Sequence, residues 1–299
     1  MRFKGTVTAL ITPFKEDGSV DYDVFRKLCI RQAENGCHLM PCGTTGESPT
    51  LSHEEHRQVN KIAVEVAKLY PEIKVVAGVG SNNTREAIQL VEHALEIGAD
   101  YGLSVIPYYN KPTQEGHFEH QKELAKVGLR LIVYNIPGRC GTGLTAATIL
   151  RMAELDNIVG LKAAAGVNDD LSEVLMHRPE EFSVFSGDDT LTYYMMAAGA
   201  DGAMSVTSNT APKQVAEIVN CMLDGDYSKG LELTKRIFKL YLANMRLGTN
   251  PEVVKESIDI IKDKIGLSEY CAELRLPLRR INSANRSILE NVINETGYF

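Results

Sequence analysis

The sequence has no apolar run as long as the roughly 20 residues that a membrane-spanning helix requires. The apolar stretch in residues 1–18 is short and soon gives way to charged residues, so it predicts a first strand rather than a signal peptide. We therefore expect no membrane partner and a cytoplasmic location.

Cysteine pairs and metal-binding motifs are also missing. The six cysteines are scattered without a CxxC pair, which favours reduced thiols over disulfides or a zinc site. The seven histidines include no HExxH motif. His53 and His56, and likewise His117 and His120, are spaced so that they could share a metal ion, but we expect these residues on helix surfaces. We expect neither a metal nor another cofactor.

The charge and the length narrow the class of protein further. A formal net charge of −7 argues against nucleic acid as a partner. The chain has 299 residues, 44 % of them hydrophobic, which is enough for one large domain or two ordinary ones.

Strand-like and helix-like segments alternate along the first two thirds of the chain. Ser52 with Glu55, and Asn83 followed by Gly98, mark the ends of two of the helices. The other helices are expected at 21–35, 114–127, 145–154, 169–177 and 190–198. The expected strands are 5–14, 37–43, 74–80, 101–109, 130–137, 157–166, 182–189 and 202–209.

Eight such units predict a (β/α)8 barrel, an α/β fold. No GxGxxG motif follows the first strand, which disfavours a dinucleotide-binding sheet. After residue 210 only helices are expected, at 212–223, 226–246, 251–265 and 282–296. We expect residues 1–225 to form the barrel and residues 226–299 a helical region packed on it, because no flexible linker separates them.

Lys162 stands inside the sixth predicted strand, in the run NIVGLKAAAG. A rim lysine whose amine reaches solvent is one interpretation. The other is a desolvated amine that is nucleophilic near neutral pH and forms a Schiff base with a ketone or aldehyde. The apolar residues before Lys162 and the three alanines after it favour the second.

Other polar residues follow strand ends, where catalytic groups of this fold collect. Tyr134 could be a packed core residue or a proton donor. The GTTGE segment, 43–47, could bind a carboxylate or simply lead into a helix. Arg139 could be a surface residue or a carboxylate ligand. The adjacent rings of Tyr108 and Tyr109 suggest an interface or a neighbouring subunit's site.

Seven motifs in this order resemble the pyruvate-dependent Schiff-base aldolase family, which contains dihydrodipicolinate synthase and N-acetylneuraminate lyase. The resemblance extends from about residue 3 to residue 278 and is closer to the synthases, because GTTGE, YNIPGR and SGDD are typical of them. It implies condensation of pyruvate with L-aspartate 4-semialdehyde. The motifs are ITPF, GTTGES, PYYNKPTQEG, YNIPGR, GLK, SGDD and SVTSN.

The resemblance implies catalytic roles for four residues. Lys162 would form the Schiff base and Tyr134 would act as general acid and base. Thr44 would link Tyr134 to Tyr109, which in this family enters from a neighbouring subunit. The resemblance therefore implies at least a dimer, and usually a homotetramer that is a dimer of dimers. The iminium serves as the electron sink, so the chemistry needs no metal.

The resemblance also implies the binding residues. Thr45 would hold the pyruvate carboxylate and Arg139 that of the semialdehyde, while Gly187 and Met204 would line the pocket with their backbone. An inhibitory L-lysine site is implied at a subunit interface. Its residues would be Ser48, Pro49, His53, His56, Asn82, Glu86 and Tyr108.

Three departures from the family pattern leave alternatives open. Ala163 replaces a glutamate, Cys140 replaces a threonine or serine, and Val253 stands in place of the second proline of NPxPVK. Strand alternation predicts that residue 163 faces the helices, away from Lys162. The alternatives are another pyruvate-dependent aldolase or dehydratase acting on a sugar acid or a neuraminate-like substrate, and a non-catalytic protein that binds a keto acid.

Overall fold

A computed structural model describes residues 2–299, and eight parallel strands alternate with helices in it. The strands are β1 Gly5–Ala9, β2 His38–Met40, β3 Val76–Gly78, β4 Tyr101–Val105, β5 Leu131–Asn135, β6 Ile158–Ala163, β7 Ser183–Ser186 and β8 Gly202–Ser205. The first nine helices are α1 Tyr22–Glu34, α2 His53–Ala67, α3 Thr84–Ile97, α4 Gln114–Ala125, α5 Pro137–Cys140, α6 Ala146–Met152, α7 Asp169–His177, α8 Thr192–Ala197 and α9 Pro212–Leu223. The C-terminal helices are α10 Tyr227–Arg246, α11 Glu252–Ile261 and α12 Ser283–Thr296.

Local signals explain where several helices begin and end. The Ser52 side chain accepts a hydrogen bond from the Glu55 amide at 3.2 Å, and the Glu55 carboxylate accepts one from the Ser52 amide at 2.9 Å. This reciprocal capping box starts α2, as predicted. Asn83 caps α3, and Gly98 ends it in the left-handed conformation.

The strands form a barrel, which confirms the predicted (β/α)8 fold. Their order is β2-β1-β8-β7-β6-β5-β4-β3, and all pairs are parallel. The circle closes between β2 and β3 through a bridge that pairs Leu39 with Val75, and the Gly78 amide donates to the Pro41 carbonyl at 3.1 Å. A Cβ on Gly78 would lie 2.1 Å from the Cys42 carbonyl oxygen, so this close approach requires glycine.

The strands are shorter than predicted, and the first one shows why. The Asn209 side chain donates to the Ala9 carbonyl at 2.7 Å and accepts from the Ile11 amide at 3.1 Å. It therefore takes over backbone groups that would otherwise extend the ladder past Ala9. Residues 137–140, where no helix was expected, form the short helix α5. The helix expected to reach residue 265 ends at Ile261 and continues as a 3₁₀ turn.

Packed side chains fill the amino end of the barrel and leave the other end free for the site. Phe3 stacks on Tyr101 with ring centroids 4.5 Å apart and also contacts Phe185. Met204 belongs to this interior cluster, whereas Ala163 belongs to the layer between the sheet and the helices. Residue 163 thus faces the helices, as strand alternation predicted.

The C-terminal helices pack against the barrel. Ile237, Val254 and Ile293 share one hydrophobic cluster with Leu28 of α1 and Val215 of α9. The division of the chain at residue 225 stays a prediction. Within residues 2–299, no helix is long and apolar enough to cross a membrane.

Candidate active site

A cavity of about 340 Å³ opens at the carboxyl end of the barrel. Its wall is assembled from the ends of the strands, as is usual in this fold, and from the segment between α10 and α11. Its lining residues include Thr44, Thr45, Tyr134, Arg139, Lys162, Gly187, Asp188, Asp189, Asn244 and Asn250.

Lys162 lies in this cavity with only 4 % of its surface exposed. The strand register pairs it with Tyr134 of β5 and Phe185 of β7, so its neighbours on the two adjacent strands are aromatic. Its Nζ atom lies 4.2 Å from the centroid of the Tyr134 ring. Burial lowers the pKa of Lys162 from 10.5 to about 7, with Asp189 opposing the shift and Arg139 adding to it. A large fraction of the amine is therefore neutral near pH 7.

Gly187 allows the lysine chain to pass close to β7. A Cβ at this position would lie 3.2 Å from Cε of Lys162 and 3.1 Å from the Ala163 carbonyl oxygen. Its amide donates to that same carbonyl at 2.8 Å. Glycine therefore leaves room for Lys162 while its backbone contributes to the wall.

Tyr134 is a buried phenol, 6 % exposed, whose ring lies against the lysine. Burial raises the pKa of Tyr134 well above its usual value of 10, and the positive charge of Arg139 only partly opposes this. The hydroxyl therefore stays protonated at neutral pH and can act as a proton donor.

Thr44 and Thr45 belong to the loop after β2. Thr44 lines two cavities, while Thr45 is 2 % exposed and accepts a 2.9 Å hydrogen bond from the Asn250 side chain. Glu47 follows in the left-handed conformation, at φ 53°. The loop therefore presents two hydroxyls near Lys162 and is anchored by a residue of the C-terminal region.

Arg139 lies in α5 and lines both cavities, and its Nη2 atom is 3.5 Å from the Asn250 carbonyl oxygen. Met204 does not line the Lys162 cavity, because its side chain packs in the barrel interior and is 1 % exposed.

Tyr109 is the predicted catalytic residue that the structure leaves outside the cavity. It is 89 % exposed, with φ at 70°, whereas the adjacent Tyr108 is partly buried. Its ring is therefore free to reach a different subunit but does not approach Lys162 of its own chain.

A second cavity of about 230 Å³ lies on the other side of Thr44 and Tyr134. Ser48, Pro49 and Tyr108 contribute to its wall. Both cavities have Thr44, Tyr134 and Arg139 among their lining residues, so these side chains separate one cavity from the other.

The other residues predicted to bind the lysine effector lie in two different environments. Asn82 donates to the carbonyl of Tyr108, which lines the second cavity, at 3.2 Å, and His53 lies 3.5 Å from the Glu86 carboxylate. His56 is instead buried in α2 against Asn60, and burial lowers its pKa to about 4.

The expectation that both histidine pairs lie on helix surfaces is wrong for three residues. His56 is 6 %, His117 0 % and His120 5 % exposed. The cause is the packing of α2 and α4 against neighbouring segments; His120, for example, hydrogen-bonds to Thr84 of α3 at 2.9 Å. No cluster of three or more metal-ligating side chains occurs in residues 2–299.

The sequence analysis did not single out two polar residues of the cavity. Asp189 accepts a 2.8 Å hydrogen bond from the Thr207 amide and is 9 % exposed. Asn250 bonds to Thr45. Asp189 ends the SGDD motif, which could have drawn attention to it, whereas Asn250 lies in a C-terminal segment without any strand-end signal.

An enzyme that acts through a lysine Schiff base needs an amine that is neutral near pH 7 and shielded from bulk water. Lys162 meets both requirements at the catalytic end of a (β/α)8 barrel. Fold and site therefore define the class of Schiff-base lyases built on this barrel.

The comparison with known proteins specifies the family. The profile of the Dihydrodipicolinate synthetase family matches residues 2–296, and the chain belongs to that family. It is 43 % identical over 297 residues to the 4-hydroxy-tetrahydrodipicolinate synthase of Geotalea uraniireducens, covering 99 % of each chain. The predicted resemblance is thus confirmed, and the chain is an enzyme of the lyase class.

Solved structures agree with this assignment. The dihydrodipicolinate synthase of Aquifex aeolicus is 41 % identical, with a TM-score of 0.93 and 99 % of each chain covered. The enzyme of Cyanidioschyzon merolae, solved with lysine bound, is 33 % identical, with a TM-score of 0.93 and 100 % of each chain covered.

Proposed function

We propose that this chain has 4-hydroxy-tetrahydrodipicolinate synthase activity and condenses pyruvate with L-aspartate 4-semialdehyde in lysine and diaminopimelate biosynthesis. The observation that carries the proposal is the buried Lys162, whose pKa is lowered to about 7, in a chain 43 % identical to a relative of that name.

The reaction begins with attack of the neutral Lys162 amine on the ketone carbon of pyruvate. Loss of water gives an iminium, in which the positive nitrogen withdraws electrons from the methyl group. Loss of a methyl proton gives an enamine, and its carbon attacks the aldehyde carbon of the semialdehyde. The amine of the semialdehyde then displaces Lys162, which closes the ring and frees the enzyme.

Tyr134 is proposed as the group that moves protons in these steps, because its phenol is protonated and lies against the lysine. Thr44 would pass protons between Tyr134 and Tyr109. Since Tyr109 is outside the cavity of its own chain, we infer that a second copy supplies it and that the enzyme is a homotetramer, a dimer of dimers.

The two carboxylates of the substrates need separate partners. Thr45 is proposed for pyruvate, because its hydroxyl and amide lie at the loop beside Lys162. Arg139 is proposed for the semialdehyde, because its guanidinium lines the same cavity and can bind a carboxylate through two hydrogen bonds. The Gly187 backbone lines this cavity as well, whereas Met204 would act from the layer beneath it.

We further propose that L-lysine inhibits the enzyme by binding at the second cavity. Ser48, Pro49 and Tyr108 line this cavity, and the nearby Asn82, Glu86 and His53 supply polar groups for the effector. The role of His56 is limited to packing beneath them, because it is buried and neutral. A cytoplasmic location stays a prediction.

The discriminating experiment compares substrates in wild type and in Arg139→Ala. We expect the KM for L-aspartate 4-semialdehyde to rise at least tenfold and the KM for pyruvate to change far less, because only one carboxylate loses its partner. Equal rises for both substrates, or a higher kcat/KM for a sugar-acid aldehyde than for the semialdehyde, would contradict the proposal and favour a sister aldolase.

A further inference from the structure

Glu47 lies two residues after Thr45 in the loop after β2, and its side chain is completely buried. It forms an ion pair with Lys255 of α11, and both side chains are 0 % exposed. Glu47 precedes a 3₁₀ turn at Ser48–Thr50 but its side chain does not cap that turn. A buried ion pair is a weak source of stability, since removing two charges from water offsets most of their attraction. A role in holding the loop in one position explains it better.

Glu47 and Lys255 also make contacts with other residues around the ion pair. The second Glu47 oxygen accepts from the Arg275 amide at 3.1 Å, and Lys255 donates to the Glu273 carbonyl at 2.8 Å. Both cations lie over the ring of Phe14, whose centroid is 4.1 Å from the Lys255 amine and 4.5 Å from the Arg275 guanidinium. The end of the first strand region, the loop after β2 and the C-terminal segment therefore meet at Glu47.

The same C-terminal segment contacts the loop a second time. Asn250, just before α11, donates to the Thr45 hydroxyl at 2.9 Å, and Lys255 lies in the first turns of that helix. The two contacts are on either side of Gly46, at Thr45 and at Glu47. The loop that carries Thr44 and Thr45 is thus held by Asn250 and by Lys255 of α11, and not only by the barrel strand that precedes it.

We propose that Glu47 and Lys255 are positioning residues, which hold Thr44 and Thr45 in place for the chemistry at Lys162. The C-terminal helical region is then part of the catalytic apparatus. This inference deepens the proposed function and rests on it, because the threonines bind and relay protons only if that function is correct.

The test uses Lys255→Met and Glu47→Gln in the full chain. Glu47→Gln keeps the size of the side chain and an acceptor for the Arg275 amide, so it is the variant that preserves the fold best. We expect the KM for pyruvate to rise about tenfold in each, with a smaller fall in kcat. Hydrogen exchange of the peptide that contains residues 43–47 should become faster in both.

The matched control is Glu256→Gln, one residue along the same helix. Glu256 is 1 % exposed and pairs with Arg280 at 2.6 Å and with Arg286, rather than with the loop. Its removal should lower the Tm but leave the KM for pyruvate within twofold and the exchange of residues 43–47 unchanged. If the control raises the KM as much as Lys255→Met does, the pair is merely structural and the proposal is overturned.

The double variant Glu47→Gln with Lys255→Met distinguishes the effect of an unpaired buried charge from the effect of losing the contact that positions the loop. It removes both charges together, so no unpaired charge stays buried, and its Tm should exceed that of Lys255→Met. Its KM for pyruvate should nevertheless stay raised; a return to the wild-type KM would overturn the proposal. If the wild-type protein forms no pyruvate adduct, the proposed function itself is refuted. The hydrogen-exchange measurements do not require activity, so they test the positioning of the loop separately.

Discussion

The pKa of Lys162 predicts the pH range in which the Schiff base forms. With the pKa lowered to about 7, about half of the amine is neutral at pH 7. An ordinary lysine with a pKa near 10.4 would have only about one neutral amine in several thousand. Burial therefore raises the concentration of the nucleophile on the order of a thousandfold, which makes the pH profile a sensitive test of the surroundings of Lys162.

The assay follows trapping of the iminium by cyanoborohydride at limiting pyruvate and reads the adduct by intact mass between pH 5.5 and 9. The trapping rate should rise about tenfold for each pH unit below the midpoint and level off above it, with the midpoint near 7. Since the negative charge of Asp189 raises the lysine pKa, Asp189→Asn should move the midpoint to lower pH. A wild-type midpoint above pH 9, or a move to higher pH in the variant, would refute the reasoning.

Three further predictions concern glycines and a buried histidine. Gly187→Ala places a Cβ 3.2 Å from Cε of Lys162, so kcat/KM for pyruvate should fall about tenfold or more; an unchanged value in steady-state kinetics would contradict this. Gly78→Ala places a Cβ 2.1 Å from the Cys42 carbonyl oxygen, so urea titration should show a loss of at least about 2 kcal/mol in the free energy of unfolding. His56 is 6 % exposed, and burial lowers its pKa from 6.5 to about 4, so the unfolded chain takes up a proton first as the pH falls. Unfolding should become easier by about 3 kcal/mol through this residue between pH 6.5 and pH 4, and His56→Gln should lack that part of the pH dependence.

The fold was predictable because its signals are local. Ser52 and Glu55 cap a helix three residues apart, and continuous apolar runs mark strands that are covered on both faces. The strand limits were less predictable: β1 stops at Ala9 because of Asn209, whose contact spans 200 residues of sequence.

In the site, too, residues with a local sequence signal could be predicted, whereas residues that depend on distant contacts could not. Lys162 could be found because a charge inside an apolar strand is conspicuous in the sequence. Asn250 could not, because its contact with Thr45 joins residues 205 positions apart. The burial of His117 was likewise hidden, since it depends on how α4 packs and not on the spacing of its residues. The adjacent rings of Tyr108 and Tyr109 drew attention to Tyr109, and its role in the site of a neighbouring subunit stays a prediction.

The most direct test of the central claim is borohydride reduction in the presence of pyruvate, followed by peptide mass mapping. The account predicts a single adduct, one reduced pyruvate, on the peptide that contains Lys162, and none in Lys162→Met. The absence of any adduct in the wild-type enzyme, or an adduct on a different lysine that persists in Lys162→Met, would contradict it.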